Sequence, residues 1–177
     1  MLHALDRNVG LILSGLDELG LRDNTIVVFT SDNGATKAGS NLPFQGSQHS
    51  VQEGKTRLPT VVHWPRGKVV AGAWDGFCGA LDMFPTLMGM AGLTMPETRP
   101  LDGRNCWPAL RDDLASPLHS CCWAWRNIDT SRTADWRLHR YFDPVELYGM
   151  RTDVSETTEI ASENAAAVRT LTTGTNT

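Results

Sequence analysis

Apolar residues recur at three- and four-residue spacing at the start of the chain. This spacing places them along one face of an α-helix. Gly20 follows the last of them, and glycine is the residue that most often ends a helix in the left-handed conformation. The pattern therefore predicts an amphipathic helix that ends next to Gly20. The apolar positions are Leu2, Leu5, Val9, Ile12, Leu13, Leu16 and Leu19.

The next apolar run is short, continuous and followed by polar turn residues. Ile26 to Thr30 are β-prone, and Asp32, Asn33 and Gly34 come soon after them. Such a run predicts a buried strand of the kind found in parallel sheets. Ligands of open α/β sheets bind beyond the carboxyl ends of strands, and hard cations prefer carboxylate and amide oxygens. Asp32 and Asn33 are therefore candidate metal ligands, and a plain Asn-Gly turn is the alternative.

The middle of the chain predicts a long loop, a second strand and a short helix. Residues 35–56 show no period, and loops of this length in compact domains are usually functional. Thr60 to Trp64 read as a second buried strand. Asp82 is the expected cap of a helix that runs to Met90 with Pro85 in its first turn.

Beyond Pro96 and Pro100 the pattern changes to short alternating runs, which predict antiparallel strands. Asp143-Pro144 is the expected turn between the last two strands, and Ala161 to Leu171 can form a terminal helix. The predicted strands are Ser120 to Arg126, Trp136 to Phe142 and Val145 to Tyr148.

Composition narrows the possible partners. The 177 residues carry a net charge of −4 with both signs dispersed, which argues against nucleic acid. No apolar run reaches the roughly 20 residues of a bilayer span. The first residues lack the basic region of a signal peptide, so the compartment stays undetermined. Without C-x-x-C spacing, the four cysteines are expected to be buried free thiols, with a disulfide as the alternative: Cys78, Cys106, Cys121 and Cys122.

Seven short motifs occur in an order that is typical of one enzyme family. Together they resemble the sulfatases, the arylsulfatase-like enzymes of the alkaline-phosphatase superfamily, across about residues 2 to 160. The third motif departs from the family because Lys55 replaces its second glycine. The motifs are Leu5 to Gly10, Phe29 to Gly34, Glu53 to Pro59, Leu81 to Leu87, Leu101 to Gly103, Asp135 to Leu138 and Glu146 to Tyr148.

The resemblance implies an α/β fold. We expect part of a sulfatase-like mixed or parallel sheet with flanking helices, followed by a small antiparallel sheet with a terminal helix. The expected divisions are the carboxyl-terminal part of the catalytic domain at 1–98, an antiparallel subdomain at 99–171 and a frayed tail at 172–177.

The resemblance also implies sulfuric ester hydrolysis by a formylglycine made from the cysteine of C-x-P-S/A-R. Cys106-Trp107-Pro108-Ala109 matches C-x-P-A, but Leu110 replaces the arginine. No catalytic residue is assigned, and the chain is expected to be a fragment that is inactive alone. The alternatives are a non-catalytic remnant or interaction module, and a phosphoryl-transfer hydrolase of the same superfamily.

Site residues follow from the resemblance by position. Asp32 and Asn33 match the pair that completes the family's calcium site, and two ligands alone imply low occupancy. Gln48 stands where the family has a sulfate-binding lysine, with His49 and Lys55 as further candidates for substrate binding. The implied substrate is a sulfate-ester small molecule or glycan, bound when an N-terminal half completes the site. Family members are often exported or lysosomal.

Overall fold

The computed structural model describes residues 1–36, 38–67, 69, 71–95, 100–142 and 144–173. The chain forms two compact units. Unit 1 contains Met1–Phe29 and Thr60–Ser116, and unit 2 contains Thr30–Pro59 and Pro117–Thr177. The predicted boundary between residues 98 and 99 lies outside the described residues, so that division stays a prediction.

The described residues form five α-helices, six β-strands and three short 3₁₀ turns. The helices are α1 (Leu2–Glu18), α2 (Glu53–Thr56), α3 (Ala80–Met90), α4 (Trp107–Asp112) and α5 (Ala165–Thr173). The strands are β1 (Val27–Thr30), β2 (Thr60–His63), β3 (Ser120–Trp125), β4 (Ile128–Thr133), β5 (Trp136–Arg140) and β6 (Val145–Gly149). The 3₁₀ turns are Arg22–Asn24, Pro65–Gly67 and Ala161–Glu163.

Helix α1 confirms the first prediction and ends as the sequence indicates. Gly20 has a φ of 66°. Its N–H donates to the Asp17 carbonyl at 3.0 Å, and the Leu21 N–H donates to the Leu16 carbonyl at 2.9 Å. These two bonds form a Schellman motif, which satisfies carbonyls that the helix end would leave unpaired.

The apolar surface of unit 1 is exposed to an extent that the pattern did not predict. Strands β1 and β2 form a two-stranded sheet, and neither contains a buried residue. The prediction of two buried strands is therefore wrong for the described residues. Among them, no third strand joins this sheet, and both strands remain exposed or half-buried. Helix α1 likewise buries none of its residues. Large exposed apolar side chains on these elements are Leu2, Leu5, Leu11, Ile12, Phe29 and Val61.

Helix α3 begins three residues earlier than predicted. Gly79 is its N-cap, and the Asp82 carboxylate, three residues on, accepts the Gly79 N–H at 2.7 Å. Pro85 consequently lies in the second turn, where it cannot donate to the Leu81 carbonyl. Gly103 packs against that carbonyl so closely that a Cβ would overlap it. This close contact explains why a glycine occupies the third position of the L-D-G motif.

Unit 2 contains a four-stranded antiparallel sheet in the order β3-β4-β5-β6. Strand β4 is absent from the sequence-based prediction because its residues are mostly polar. Its polar side chains Thr130, Ser131 and Arg132 are nevertheless buried. Strand β4 pairs with a strand on each side, with Cys122 opposite Ser131 and Ser131 opposite Leu138.

The core of unit 2 joins this sheet to the terminal helix. Leu138, Leu147 and Leu171 are buried together. Helix α5 is shorter at its start than the predicted Ala161 to Leu171, because the 3₁₀ turn precedes it. It continues to Thr173, and the remaining four residues of the predicted tail lie outside the described residues, as does Asp143 of the predicted turn. Apolar residues packed around this core are Trp136, Val145, Ile160, Ala161, Ala167 and Val168.

The α/β fold class is confirmed by this mixture of helices with a small antiparallel sheet and a terminal helix. Among the described residues, none of the helices combines the length and the apolar content that a bilayer span requires.

Candidate active site

The segment after β1 places the candidate metal ligands in a tight turn of unit 2. The Ser31 hydroxyl donates to the Asn33 carbonyl at 2.9 Å and holds the turn closed. Asp32 is exposed, Asn33 is half-buried and Gly34 is buried. Adjacent residues at the end of a strand therefore carry a carboxylate and an amide, the donor types that suit a hard cation.

Backbone hydrogen bonds join this turn to the E-G-K segment. The Gly34 N–H donates to the Lys55 carbonyl at 2.8 Å. Gly34 lies so close to the Gly54 carbonyl that a Cβ on Gly34 would overlap it. The Gln48 N–H donates to the Ala35 carbonyl at 3.2 Å. The structure therefore brings the backbone of the Asp32–Asn33 turn together with that of Gln48 and Lys55.

The loop between these segments is ordered by one asparagine. The Asn41 Oδ1 accepts the Ala35 N–H at 2.8 Å, and its Nδ2 donates to the Gly46 carbonyl at 2.9 Å. The Gly54 N–H donates to the Gln45 carbonyl at 2.6 Å. The predicted irregular loop therefore has defined internal contacts, and it ends in the single turn of α2.

Lys55 and His49 share one aromatic neighbour. The Lys55 ammonium lies 4.2 Å from the centre of the Trp125 ring. The His49 ring is stacked on the same tryptophan at 6.4 Å between centres and 23° between planes. Trp125 is half-buried, and one of its neighbours is a cation. Such a contact contributes about 0.5–1 kcal/mol at an exposed site and limits where the ammonium can lie.

A buried ion network holds the E-G-K segment on the sheet of unit 2. Arg137 of β5 is completely buried. Its Nη1 donates to the Glu53 carboxylate, and its Nη2 donates to the Val51 carbonyl and, at 3.0 Å, to the Thr56 hydroxyl. Burial lowers the pKa of the Arg137 guanidinium, and the carboxylates of Glu156 and Glu53 act in the opposite direction.

Glu53 forms ion pairs with several arginines at once. Besides Arg137, the Arg132 Nε lies 3.5 Å from one Glu53 oxygen, and the Arg57 Nη1 lies 3.5 Å from the other. The pair with Arg57 joins residues one helical turn apart within the same segment. Arg132 and Arg137 of the sheet are far from Glu53 in sequence, so no local pattern indicates their contacts with it.

A second carboxylate completes the network from the far end of the chain. The Glu156 Oε2 accepts the Glu53 N–H at 2.7 Å, and its Oε1 lies 3.0 Å from the Arg137 Nε. The same Oε1 lies 2.8 Å from the His139 Nε2, while the His139 Nδ1 lies 3.0 Å from the Thr130 hydroxyl. Because an ionised carboxylate only accepts, the His139 Nε2 is the donor in its contact with Glu156.

A carboxylate-capped turn presents Glu156. The Asp153 carboxylate accepts the N–H groups of Thr157 and Thr158, each at 2.8 Å to Oδ2. Glu156 within this turn has a φ of 54°, in the left-handed region. Asp153 therefore stabilises the backbone that points Glu156 into the network.

Comparison with known proteins identifies the family. The sulfatase family model matches residues 1–93, more than half of the chain. The chain belongs to the sulfatase family. It is 40% identical to mouse steryl-sulfatase over 129 residues, which is 65% of this chain and 20% of that protein. It is 42% identical to human N-acetylgalactosamine-6-sulfatase over 113 residues, which is 60% of this chain and 22% of that protein.

Structural similarity to a solved protein extends over almost the whole of this chain. A crystal structure of Ps i-CgsB in complex with k-i-k-neocarrahexaose superposes with a TM-score of 0.90 at 28% sequence identity. The match covers 99% of this chain and 41% of that one. By sequence, the chain spans about a fifth of the length of the two curated relatives named above. Sulfatases generally bind a metal ion.

The C-x-P-A cysteine occupies a structural position in this sulfatase chain. Cys106 is 1% exposed and is the N-cap of α4, with Pro108 in the first turn of that helix. The Cys106 N–H donates to the Thr86 hydroxyl at 2.9 Å. All four cysteines are free thiols, but Cys78 and Cys122 are exposed, contrary to the expectation that all are buried.

Proposed function

We propose that this chain forms part of the active site of a calcium-dependent sulfuric ester hydrolase and is inactive alone. The observation that carries the proposal is the hydrogen bond from Gly34 to Lys55. It ties the turn that bears Asp32 and Asn33 to the segment that bears Lys55, one of the candidate sulfate-binding residues. Family membership supplies the reaction class.

Asp32 and Asn33 fit a calcium site as two of its oxygen ligands. Their donor chemistry is right for a hard cation, but Ca²⁺ takes about six to eight oxygens. The remaining ligands would come from the part of a sulfatase that precedes this region in the family. Bound calcium supplies Lewis acidity toward a sulfate oxygen.

Gln48, His49 and Lys55 are proposed to face the sulfate group. Lys55 supplies a positive charge, His49 a hydrogen-bonding ring, and Gln48 an amide donor. Because a bond from a neutral amide to an anion is weaker than one from an ammonium, Gln48 makes a poorer sulfate contact than a lysine would. The proposed substrate is a sulfate ester of a small molecule or glycan.

The exposed apolar surface of unit 1 supports the need for an N-terminal half. Isolated proteins rarely leave a large contiguous apolar patch in water. Helix α1 and the β1–β2 sheet expose such side chains without burying a single residue. An additional segment of sulfatase chain that covers these elements would bury them.

Reconstitution tests the proposal. The isolated chain, assayed with a chromogenic aryl sulfate and calcium, should give no turnover. The same chain joined to the N-terminal half of a related sulfatase, with its formylglycine formed, should give turnover that a calcium chelator removes. A stable, folded fusion without turnover would favour the non-catalytic remnant. Turnover by the isolated chain that disappears in Cys106→Ala would instead assign the nucleophile to Cys106.

Gln48→Lys should raise the activity of the fusion about tenfold. A charge-assisted contact to a sulfate oxygen adds about 1–2 kcal/mol of transition-state stabilisation over a neutral one. The value of kcat/KM for the aryl sulfate is the measurement. Asn127→Lys, in the exposed turn between β3 and β4, adds the same charge elsewhere and should leave kcat/KM unchanged. No gain in Gln48→Lys would mean that His49 or Lys55 already makes this contact.

A further inference from the structure

Two cysteines that are distant in sequence lie together in unit 1. The Cys78 Sγ, the Cys106 Sγ and an Asp82 carboxylate oxygen are all within 4.8 Å of one another. The two sulfurs are therefore neighbours in space, although 28 positions separate them in the sequence. Cys78 is exposed and Cys106 is buried. One sulfur is therefore accessible from solution, and the other lies directly behind it.

Helix α3 holds both cysteine-bearing segments in place. One oxygen of Asp82 accepts the N–H of Gly79, the residue after Cys78, at 2.7 Å. The other oxygen accepts the Arg104 N–H at 2.7 Å. The Thr86 hydroxyl accepts the Cys106 N–H at 2.9 Å. The proximity of the thiols therefore follows from fixed backbone contacts.

We propose that Cys78 and Cys106 form a redox-active pair that closes to a disulfide by exchange with a low-molecular-weight disulfide such as oxidised glutathione. The exposed position of Cys78 leaves its side chain free to rotate toward Cys106, which shortens the sulfur separation toward the roughly 2.05 Å of a disulfide. This site lies in unit 1 and does not depend on the proposed hydrolase activity.

The exchange has two balanced steps. The Cys78 thiolate attacks one sulfur of oxidised glutathione, and a first glutathione thiolate leaves. The Cys106 thiolate then attacks the Cys78 sulfur, and the second glutathione thiolate leaves. Two protein thiols each lose a proton and one electron, and one glutathione disulfide is reduced to two glutathiones. The neighbouring thiol raises the pKa of Cys78 and lowers the pKa of Cys106, so the first thiolate of the pair forms on Cys106. Transfer of the Cys78 proton to that sulfur leaves the attacking thiolate on the exposed Cys78, and Cys106 loses its proton before the second step.

A metal ion explains the same cluster less well. Each Asp82 oxygen already accepts a backbone N–H at 2.7 Å. Structural zinc sites use four protein ligands, whereas this group among the described residues contains three. The carboxylate therefore serves to organise the backbone around the thiols.

Peptide mapping of the full chain tests the pair. Trypsin cleaves after Arg104 but not between Arg99 and Pro100, so it places Cys78 on residues 69–104 and Cys106 on residues 105–111. After incubation with oxidised glutathione and alkylation of the remaining thiols, a non-reducing digest should contain these two peptides joined. The Tm should rise by about 5–15 °C, because the bridge closes a loop that starts at Cys78 and ends at Cys106. Dithiothreitol should reverse both changes.

Cysteine variants and a zinc assay decide the assignment. Cys78→Ser replaces an exposed thiol and should abolish the joined peptides and the Tm shift, whereas Cys122→Ser, at an exposed thiol of β3, should retain both. Glutathione attached to Cys78 without a Cys78–Cys106 link would overturn the proposal. Stoichiometric zinc in the wild-type chain that is lost in Cys78→Ser would overturn it in favour of a metal site.

Discussion

Arg137→Met should destabilise unit 2 by about 3–5 kcal/mol, the usual loss when one partner of a buried ion pair is removed. Methionine keeps most of the length and apolar contact of the arginine but none of its charge or donors. Glu53 and Glu156 would then remain buried with fewer cations beside them. The Val51 carbonyl and the Thr56 hydroxyl would also lose their donor.

Urea unfolding followed by tryptophan fluorescence measures this loss. Arg140→Met is the matched control, since Arg140 lies on the same strand and pairs with Asp129 at a partly exposed position. Pairs of that kind contribute about 0–1 kcal/mol, so the control should unfold at nearly the wild-type midpoint. Equal losses in the two variants would contradict the central role assigned to Arg137.

Asp32→Ala should reduce the activity of the reconstituted enzyme by about 10²–10³-fold, equivalent to about 3–4 kcal/mol of transition-state stabilisation. The change removes the charged member of the proposed Asp32–Asn33 ligand pair. Because Asp32 is exposed and forms its turn mainly through Ser31 and Gly34, the fold should be retained.

Calcium titration by calorimetry on the same fusion separates metal binding from catalysis. Asp32→Ala should weaken calcium binding together with activity, while Asp75→Ala, which removes an exposed carboxylate from unit 1, should change neither. Full calcium affinity in Asp32→Ala with reduced activity would refute the ligand role and point to a direct contact with substrate.

Local signals predicted part of this structure well. Gly20 marked the end of α1 because its conformation depends on its own backbone and the preceding turn. The segment from Phe29 to Gly34 indicated a strand followed by a tight turn for the same reason. The apolar run of β1 did not predict exposure, because periodicity records which side chains favour burial and not what covers them.

Distant contacts were beyond the reach of such signals. Glu53 and Arg137 are separated by 84 positions, and no spacing rule connects them. Strand β4 was missed because Thr130 and Arg132 look like solvent-facing residues until their buried partners are known. Cys78 and Cys106 gave no signal because their closeness arises from the way Asp82 and Thr86 hold two separate segments.

The turn capped by Asp153 has a consequence for genetics. It holds Glu156, and Glu156 accepts the N–H of Glu53 at the start of the segment that bears Lys55. A substitution at Asp153 would displace Glu156, and Glu156 would in turn displace Glu53. The candidate active site would change only through these two buried carboxylates. In a screen for lost activity, alleles in this turn would therefore resemble active-site alleles, although they alter none of the five candidate residues.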